Sequence, residues 1–183
     1  MIKILQKLLK TVVGNILDMN NLPQTYSIEI ITNIAKQTST IGELIGKYAK
    51  AGDIISLKGE MGTGKTTLTQ GIGIALQVQS IVNSPTYILL AKHTKSIIPL
   101  YHADLFRLTD YENSIELDLT EESKDGILVI EWPEIAENIL PTDRLEIELY
   151  YTKQEMERRI ILKSNNSKHK KLFKNIHNEF LGN

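Results

Sequence analysis

Residues 59–66 read GEMGTGKT, and the spacing of Gly59, Gly64, Lys65 and Thr66 satisfies the pattern G-x-x-x-x-G-K-[ST]. A phosphate group has to be met by several backbone N–H groups at close range. A loop that wraps one therefore cannot carry side chains at its tightest points. The helix expected from about 65 to 76 turns its positive end and its free first-turn amides toward the same anion. In that arrangement Lys65 reaches the β- and γ-phosphates and the Thr66 hydroxyl ligates Mg²⁺. The run follows a short apolar stretch, 54–57, and precedes a helical pattern, which is the context this chemistry requires. These residues predict a site for a nucleoside triphosphate.

Phosphoryl chemistry also needs a carboxylate on the metal or its water, and usually a second acid to orient the nucleophile. In parallel α/β sheets such groups lie at the carboxyl ends of strands beside the cradle. Two predicted strands run into acids: 97–101 leads to Asp104, and 127–130 leads to Glu131. Either acid could equally be an ordinary polar strand end. Trp132, the one tryptophan, follows Glu131 directly. It could shield the site, stack on a ligand, or fill a core as a large apolar residue.

The elements that must position these groups follow from periodicity. Residues 26–31 alternate and read as a strand at a sheet edge. Thr40 and Glu43 have capping-box spacing, and Ile41, Leu44, Ile45 and Tyr48 recur at helical intervals, predicting a helix from 40. After the phosphate loop and its helix, 77–85 reads as a polar loop, 87–90 as a strand, 111–119 as a short helix and 134–140 as a helix closed by Pro141. Leu145, Ile147 and Leu149 alternate with Glu146, Glu148 and Tyr150 as in a half-exposed strand, with 159–162 available to pair with it. Strands alternating with helices predict one α/β, P-loop NTPase-like domain over 26–163, its mostly parallel sheet flanked by helices.

Composition sets the outer bounds. A chain of 183 residues suffices for one such domain and not for two. With a formal net charge of −1 there is no global positive field to attract nucleic acid. The absence of cysteine excludes disulfides and thiolate metal sites and suits a reducing cytoplasm. Lys7 and Lys10 interrupt the apolar residues of the N-terminal extension, 1–25, so no run approaches the roughly 20 residues of a membrane span. Lys3, Lys7 and Lys10 leave a targeting peptide or surface helix open there, beside a frayed extension of unknown role, and Met19 could open a shorter chain. Residues 164–183 form a basic C-terminal helix or tail, and 158–174 hold seven lysines and arginines with no acid. That segment could approach tRNA phosphates or an acidic partner, or simply be solvated.

Three kinds of nucleotide protein are compatible with the cradle. A small-molecule P-loop kinase needs cations over the transferring phosphate, and the four arginines (Arg107, Arg144, Arg158, Arg159) form no lid-like pair. A GTP switch lacks its Asn-Lys-x-Asp here. An ATPase that drives or resets a protein assembly needs only the cradle, the acids and a mobile loop.

GEMGTGKTT, SPTY, YHADLFRL and IEWPE, in this order and spacing over roughly 40–149, resemble the TsaE (YjeE) family of bacterial ATPases. The resemblance implies a compact P-loop α/β domain and cytoplasmic work in tRNA N6-threonylcarbamoyladenosine biosynthesis. It implies binding and hydrolysis of ATP with Mg²⁺, slow without partners, in support of turnover by TsaB and TsaD proteins, with no membrane. Contact with tRNA inside that complex is a further expectation. By the same resemblance Glu60, Met61, Gly62, Thr63, Gly64, Lys65, Thr66 and Thr67 form the cradle. Thr86 of Ser84-Pro85-Thr86 senses the γ-phosphate, and Asp104 takes the Walker-B-like role. Glu131 sits near the metal and the attacking water, and Trp132 belongs to the nucleotide site. The implied catalytic set is Lys65, Asp104 and Glu131, and the metal set Thr66, Asp104 and Glu131. Asp118 stands where the family commonly has glycine, which puts that turn in doubt, and His93 where tyrosine is frequent. A nucleotide-gated binding module, in which hydrolysis only releases the partner, stays open beside the enzyme.

Overall fold

The computed structural model describes residues 25–85, 87–108 and 118–181. The extension up to residue 24, Thr86 and most of the helix expected over 111–119 lie outside the described residues. Seven strands form one sheet: β1 (Tyr26–Thr32), β2 (Ile54–Lys58), β3 (Leu90–His93), β4 (Leu100–Asp104), β5 (Ile127–Glu131), β6 (Leu145–Tyr151) and β7 (Arg158–Ser164). Their spatial order is β1-β7-β6-β2-β5-β4-β3. The four central strands, β6-β2-β5-β4, are parallel. Antiparallel strands flank them, β3 on one side and β7 with β1 on the other.

Burial explains this arrangement. β4 and β5 are buried along their whole length, as parallel strands covered on both faces must be. β6 alternates buried and part-exposed residues until its last two, which suits a strand with one side toward solvent. On one face, α1 (Ala35–Tyr48) and α2 (Lys65–Ala75) lay Ile41, Ile45, Leu68 and Ile72 over Ile55, Leu57, Val129 and Ile147. A fourth helix, α4 (His169–Ile176), adds Leu172, Phe173 and Ile176 to that core, so the basic C-terminal segment includes a packed amphipathic helix. Among the described residues the other face carries only the four-residue α3 (Leu119–Glu122) and a 3₁₀ turn at Pro133–Ala136, over Tyr101, Ala103, Leu128 and Ile130.

Several boundaries differ from the sequence-based expectation, each for a local reason. α1 begins five residues before Thr40, which sits in the helix interior and turns its hydroxyl back onto the Lys36 carbonyl at 3.0 Å. The helix start is held instead by the Gln37 side chain, which accepts the Asn33 amide at 2.6 Å. The strand expected at 87–90 is displaced to Leu90–His93, because the Pro85 carbonyl accepts the amides of Ile88 and Leu89 and closes a turn. The strand expected at 97–101 starts after Pro99, and its pairing with β5 continues to Asp104, so the acid belongs to the strand. In place of a helix over 134–140 there is only the 3₁₀ turn. Asp118, doubtful as a turn residue, caps α3 by accepting the Glu121 amide at 3.1 Å.

The two long helices meet through glycine. A Cβ at Gly71 would lie 2.0 Å from the Ser39 carbonyl oxygen, and one at Gly42 would lie 2.1 Å from that of Leu68. Both neighbours are backbone, so a methyl group there can be accommodated only by moving a helix. Gly71→Ala should therefore lower stability by about 1–3 kcal/mol despite its better helix propensity. Urea denaturation of wild type and variant measures this, and an equal or higher midpoint would contradict it.

Candidate active site

The site forms where β2, β5 and β4 end together. In the parallel register Leu57 stands beside Glu131 and Glu131 beside Asp104, so both acids point to the face that α2 covers. Both are 3% exposed, which separates them from ordinary solvated strand ends. The chain leaves β2 at Lys58 and needs Gly59, Gly62 and Gly64, all at positive φ, to fold back into the start of α2.

Within the loop, Thr63 is buried and donates its hydroxyl to the Glu60 carbonyl at 2.8 Å. Glu60 itself contributes that carbonyl rather than its carboxylate, and Met61 projects outward. Lys65 curls over the loop, its ammonium donating to the carbonyls of Gly59 at 2.7 Å and Glu60 at 3.0 Å. The same Nζ lies 4.1 Å from the centre of the Trp132 ring. Burial lowers the Lys65 pKa below its ordinary range, although Glu131, Asp104 and Glu134 pull it upward. A lysine so desolvated gains from an anion that enters beside it.

Each acid is oriented by hydrogen-bonding neighbours. Glu131 Oε1 receives the Thr66 hydroxyl at 2.9 Å and lies 2.9 Å from His102 Nε2. Asp104 accepts the Ser84 hydroxyl and, at 3.0 Å, the Phe106 amide. Trp132 adopts a left-handed backbone conformation at φ 57, uncommon for a bulky residue, and its ring packs on Phe106 at 4.8 Å between centroids. Of the three roles open to it, the structure assigns the cleft wall. Gly64, Lys65, Thr66, Thr67, Met61, Gly62, Asp104, Glu131 and Trp132 line one cleft of about 460 Å³, joined by Ser84, Tyr87, Phe106 and Arg107. That volume is suitable for a small-molecule ligand.

The residues fit a nucleoside triphosphate with Mg²⁺. First-turn amides of α2 have no intrahelical acceptor and face the cleft beside a desolvated lysine. Among the described residues no group of three or more His, Asp or Glu is arranged to hold a metal. Mg²⁺ does not require one: it is usually held by one or two carboxylates with waters and phosphate oxygens. Thr66, Asp104 and Glu131 supply that limited set.

A family model described as threonylcarbamoyl adenosine biosynthesis protein TsaE matches residues 32–160, and so covers the cradle, both acids and the strands that carry them. The chain belongs to the TsaE family. A curated relative, the tRNA threonylcarbamoyladenosine biosynthesis protein TsaE of Bacillus subtilis, is 37% identical over 112 residues, spanning 61% of this chain and 70% of that protein. The protein of the same name from a Nostoc species is 42% identical over 103 residues, spanning 54% of this chain and 64% of the relative. The crystal structure of YdiB from Bacillus subtilis superposes with a TM-score of 0.74 at 27% identity, covering 85% of this chain and 97% of that one. Family membership ties the chain to threonylcarbamoyladenosine biosynthesis.

Beyond the predicted site residues and the aromatic pair Tyr87 and Phe106, this TsaE-family site draws on His102, Ser84, Arg107 and Tyr151. His102 is fully buried against Glu131, and Ser84 holds Asp104. Arg107 stacks on Tyr87 at 4.2 Å and brings a cation to the cleft. Tyr151, at the end of β6, donates its hydroxyl to the Met61 carbonyl at 2.7 Å across 90 residues of sequence. For His102 a signal existed: a histidine two residues before an acid in a strand shares its face. For Tyr151 there was none, since the contact depends on how β6 meets the loop.

Tyr151 is the tie between the phosphate loop and the outer half of the sheet, with Arg158 stacked on its ring at 4.5 Å. Tyr151→Phe removes one hydrogen bond, worth about 1 kcal/mol, which corresponds to roughly fivefold faster opening of the loop. Hydrogen exchange at the amides of 61–64 should show that acceleration while the amides of β2 stay unchanged.

Proposed function

We propose that this chain is an ATPase of the tRNA threonylcarbamoyladenosine pathway, binding and hydrolysing Mg-ATP to support turnover of a TsaB–TsaD assembly. The observation that carries the proposal is the convergence of Lys65, Thr66, Glu131 and Asp104 at the start of α2, on one face of the sheet and in one cleft. The backbone amides of the loop and of the first turn of α2 bind the phosphates, and Lys65 exchanges the carbonyls of Gly59 and Glu60 for phosphate oxygens. Mg²⁺, held by Thr66 with Asp104 and Glu131 directly or through water, would offset the charge of the phosphate oxygens.

Glu131 is the acid best placed to take the proton of the attacking water, because it sits at the centre of the sheet end and is aimed by two donors. The water oxygen bonds to the γ-phosphorus, the bond to the β–γ bridging oxygen breaks, and ADP and phosphate leave. Trp132 and Phe106 offer aromatic surface at the cleft wall, and Arg107 offers a second cation. Thr86, two residues after the Asp104-bound Ser84 in sequence, stays the proposed γ-phosphate sensor.

A partner protein is supported by the rim of the cleft. Met61 and Tyr87 line the cleft and are each at least two-thirds exposed, as is Ile88 beside Tyr87 in sequence, which gives apolar surface beside a charged interior. Among the described residues no helix is long and apolar enough to cross a membrane, and a cytoplasmic location goes with the proposed work on tRNA. For the C-terminal cations a role toward tRNA has less support. Arg159, Lys163 and Lys168 already pair with Glu29, Glu148 and Asp53.

Two variants separate the enzyme from a nucleotide-gated binding module. Lys65→Ala should lose ATP binding under either reading. Glu131→Gln should keep ATP binding and lower hydrolysis by about 10²–10⁴-fold, the usual worth of a general base. Assayed with purified TsaB and TsaD, Glu131→Gln should then fail in multiple turnovers of tRNA modification. Full modification with hydrolysis abolished would establish the binding module instead. No ATP turnover by the wild type, and no nucleotide-dependent association with those partners, would return the chain to the small-molecule kinases.

A further inference from the structure

Two buried imidazole nitrogens have no hydrogen-bond partner among the described residues: Nδ1 of His102 and Nε2 of His93. The two rings are 0% and 7% exposed, so bulk solvent does not satisfy these atoms. In the antiparallel pairing of β3 with β4, Ala91 faces His102 and His93 faces Leu100. His93 and His102 are therefore diagonal neighbours on one face, at about 7–8 Å, a separation that one water between the rings can span. A buried polar atom without a partner is costly, and a donor and an acceptor that face one buried water are both satisfied by it.

The contacts of their other nitrogens set that character. His102 Nε2 lies 2.9 Å from Glu131 Oε1, where a carboxylate oxygen accepts, so Nε2 carries a proton, and in the neutral tautomer that follows Nδ1 is the acceptor. His93 Nδ1 lies 2.6 Å from Ser80 Oγ. If Ser80 donates there, His93 Nε2 carries its proton and supplies, through the water, the donor that His102 Nδ1 requires. Burial and the neighbouring His102 hold the His93 pKa below its ordinary range, in keeping with a neutral ring.

We propose that Ser80, His93 and His102 form a one-directional hydrogen-bond relay that sets the orientation of the Glu131 carboxylate. The relay runs from the Ser80 hydroxyl through His93, one buried water and His102 to Glu131 Oε1, which also receives the Thr66 hydroxyl. His102 and His93 are positioning residues: neither lines the cleft. This inference rests on the reading of Glu131 as the hydrolytic base. It adds that the aim of that base depends on a loop residue 51 positions away in sequence.

The test combines kinetics with a readout that does not need activity. Histidine-selective ¹⁵N–¹H spectra of the wild-type protein should show both His93 and His102 as the Nε2–H tautomer. His102→Leu should leave the Kd for ATP unchanged and lower kcat by about 10–100-fold, the usual effect of losing a group that orients a site residue. His102→Gln, whose amide can still donate to Glu131, should restore much of kcat. His93→Phe should lower kcat with KM unchanged. An Nδ1–H tautomer at His102, or full kcat in both His102→Leu and His93→Phe, would overturn the relay. Should His102→Leu not fold, the tautomers and His93→Phe decide the matter. If the wild type hydrolyses no ATP, the functional reading fails, and the tautomers still report on the relay by themselves.

Discussion

The parallel register that sets Leu57 beside Glu131 and Glu131 beside Asp104 is the constraint on which the rest of this molecule depends. It brings three strand ends to one level, so the loop after β2 opens next to both acids. The same register points the acids to the face where α2 packs, which is where Lys65 and Thr66 begin. A slip of one residue in β5 would turn Glu131 to the opposite face and replace it with an apolar neighbour. Full burial of β4 and β5 on both faces prevents that slip, because it would also displace every core residue they carry. Gly42 and Gly71 complete the constraint by letting α1 hold α2 at backbone contact distance.

Within this frame the charged groups are kept from neutralising one another. Lys65 is bound to two loop carbonyls, Glu131 to a hydroxyl and an imidazole, and Asp104 to a hydroxyl and an amide among its contacts. A tight lysine–carboxylate pair would have filled the cradle with its own counter-ion and set a phosphate the task of breaking it. Carbonyl acceptors are weaker partners for an ammonium than a phosphate oxygen is, so exchange favours the ligand. The lowered Lys65 pKa is the electrostatic sign of the same state: the charge is incompletely solvated until an anion arrives.

Much of this was legible in the sequence, and the exceptions have physical causes. The cradle is local, a glycine pattern between an apolar run and a helix, and it stands where the spacing put it. Glu131 and Asp104 were legible as strand-end acids, although β4 runs on to include Asp104, whose register partner is Glu131. The 3₁₀ turn at Pro133–Ala136 was misjudged because the chain after Trp132 answers to Arg144, not to helical propensity. That buried guanidinium collects the Pro141 carbonyl at 3.0 Å, with Glu137 and Glu146, and pins the segment in irregular form. His102, Tyr151 and Ser84 act across 29, 90 and 20 residues of sequence, distances that no local pattern spans.

The segment between α2 and β3 gains its meaning only when these contacts are taken together. Val82 anchors it in the core, and Gln70 of α2 holds the Val82 carbonyl at 3.0 Å. Ser84 reaches Asp104 directly, Ser80 lies against the His93 ring, and the Pro85 turn carries Tyr87 to the mouth of the cleft. One short segment is thus in contact with the acid at the end of β4, with an imidazole on the face of Glu131, and with the exposed rim. No long pathway is needed to bring these three contacts to one segment, because Ser80, Ser84 and Tyr87 lie within eight residues of sequence.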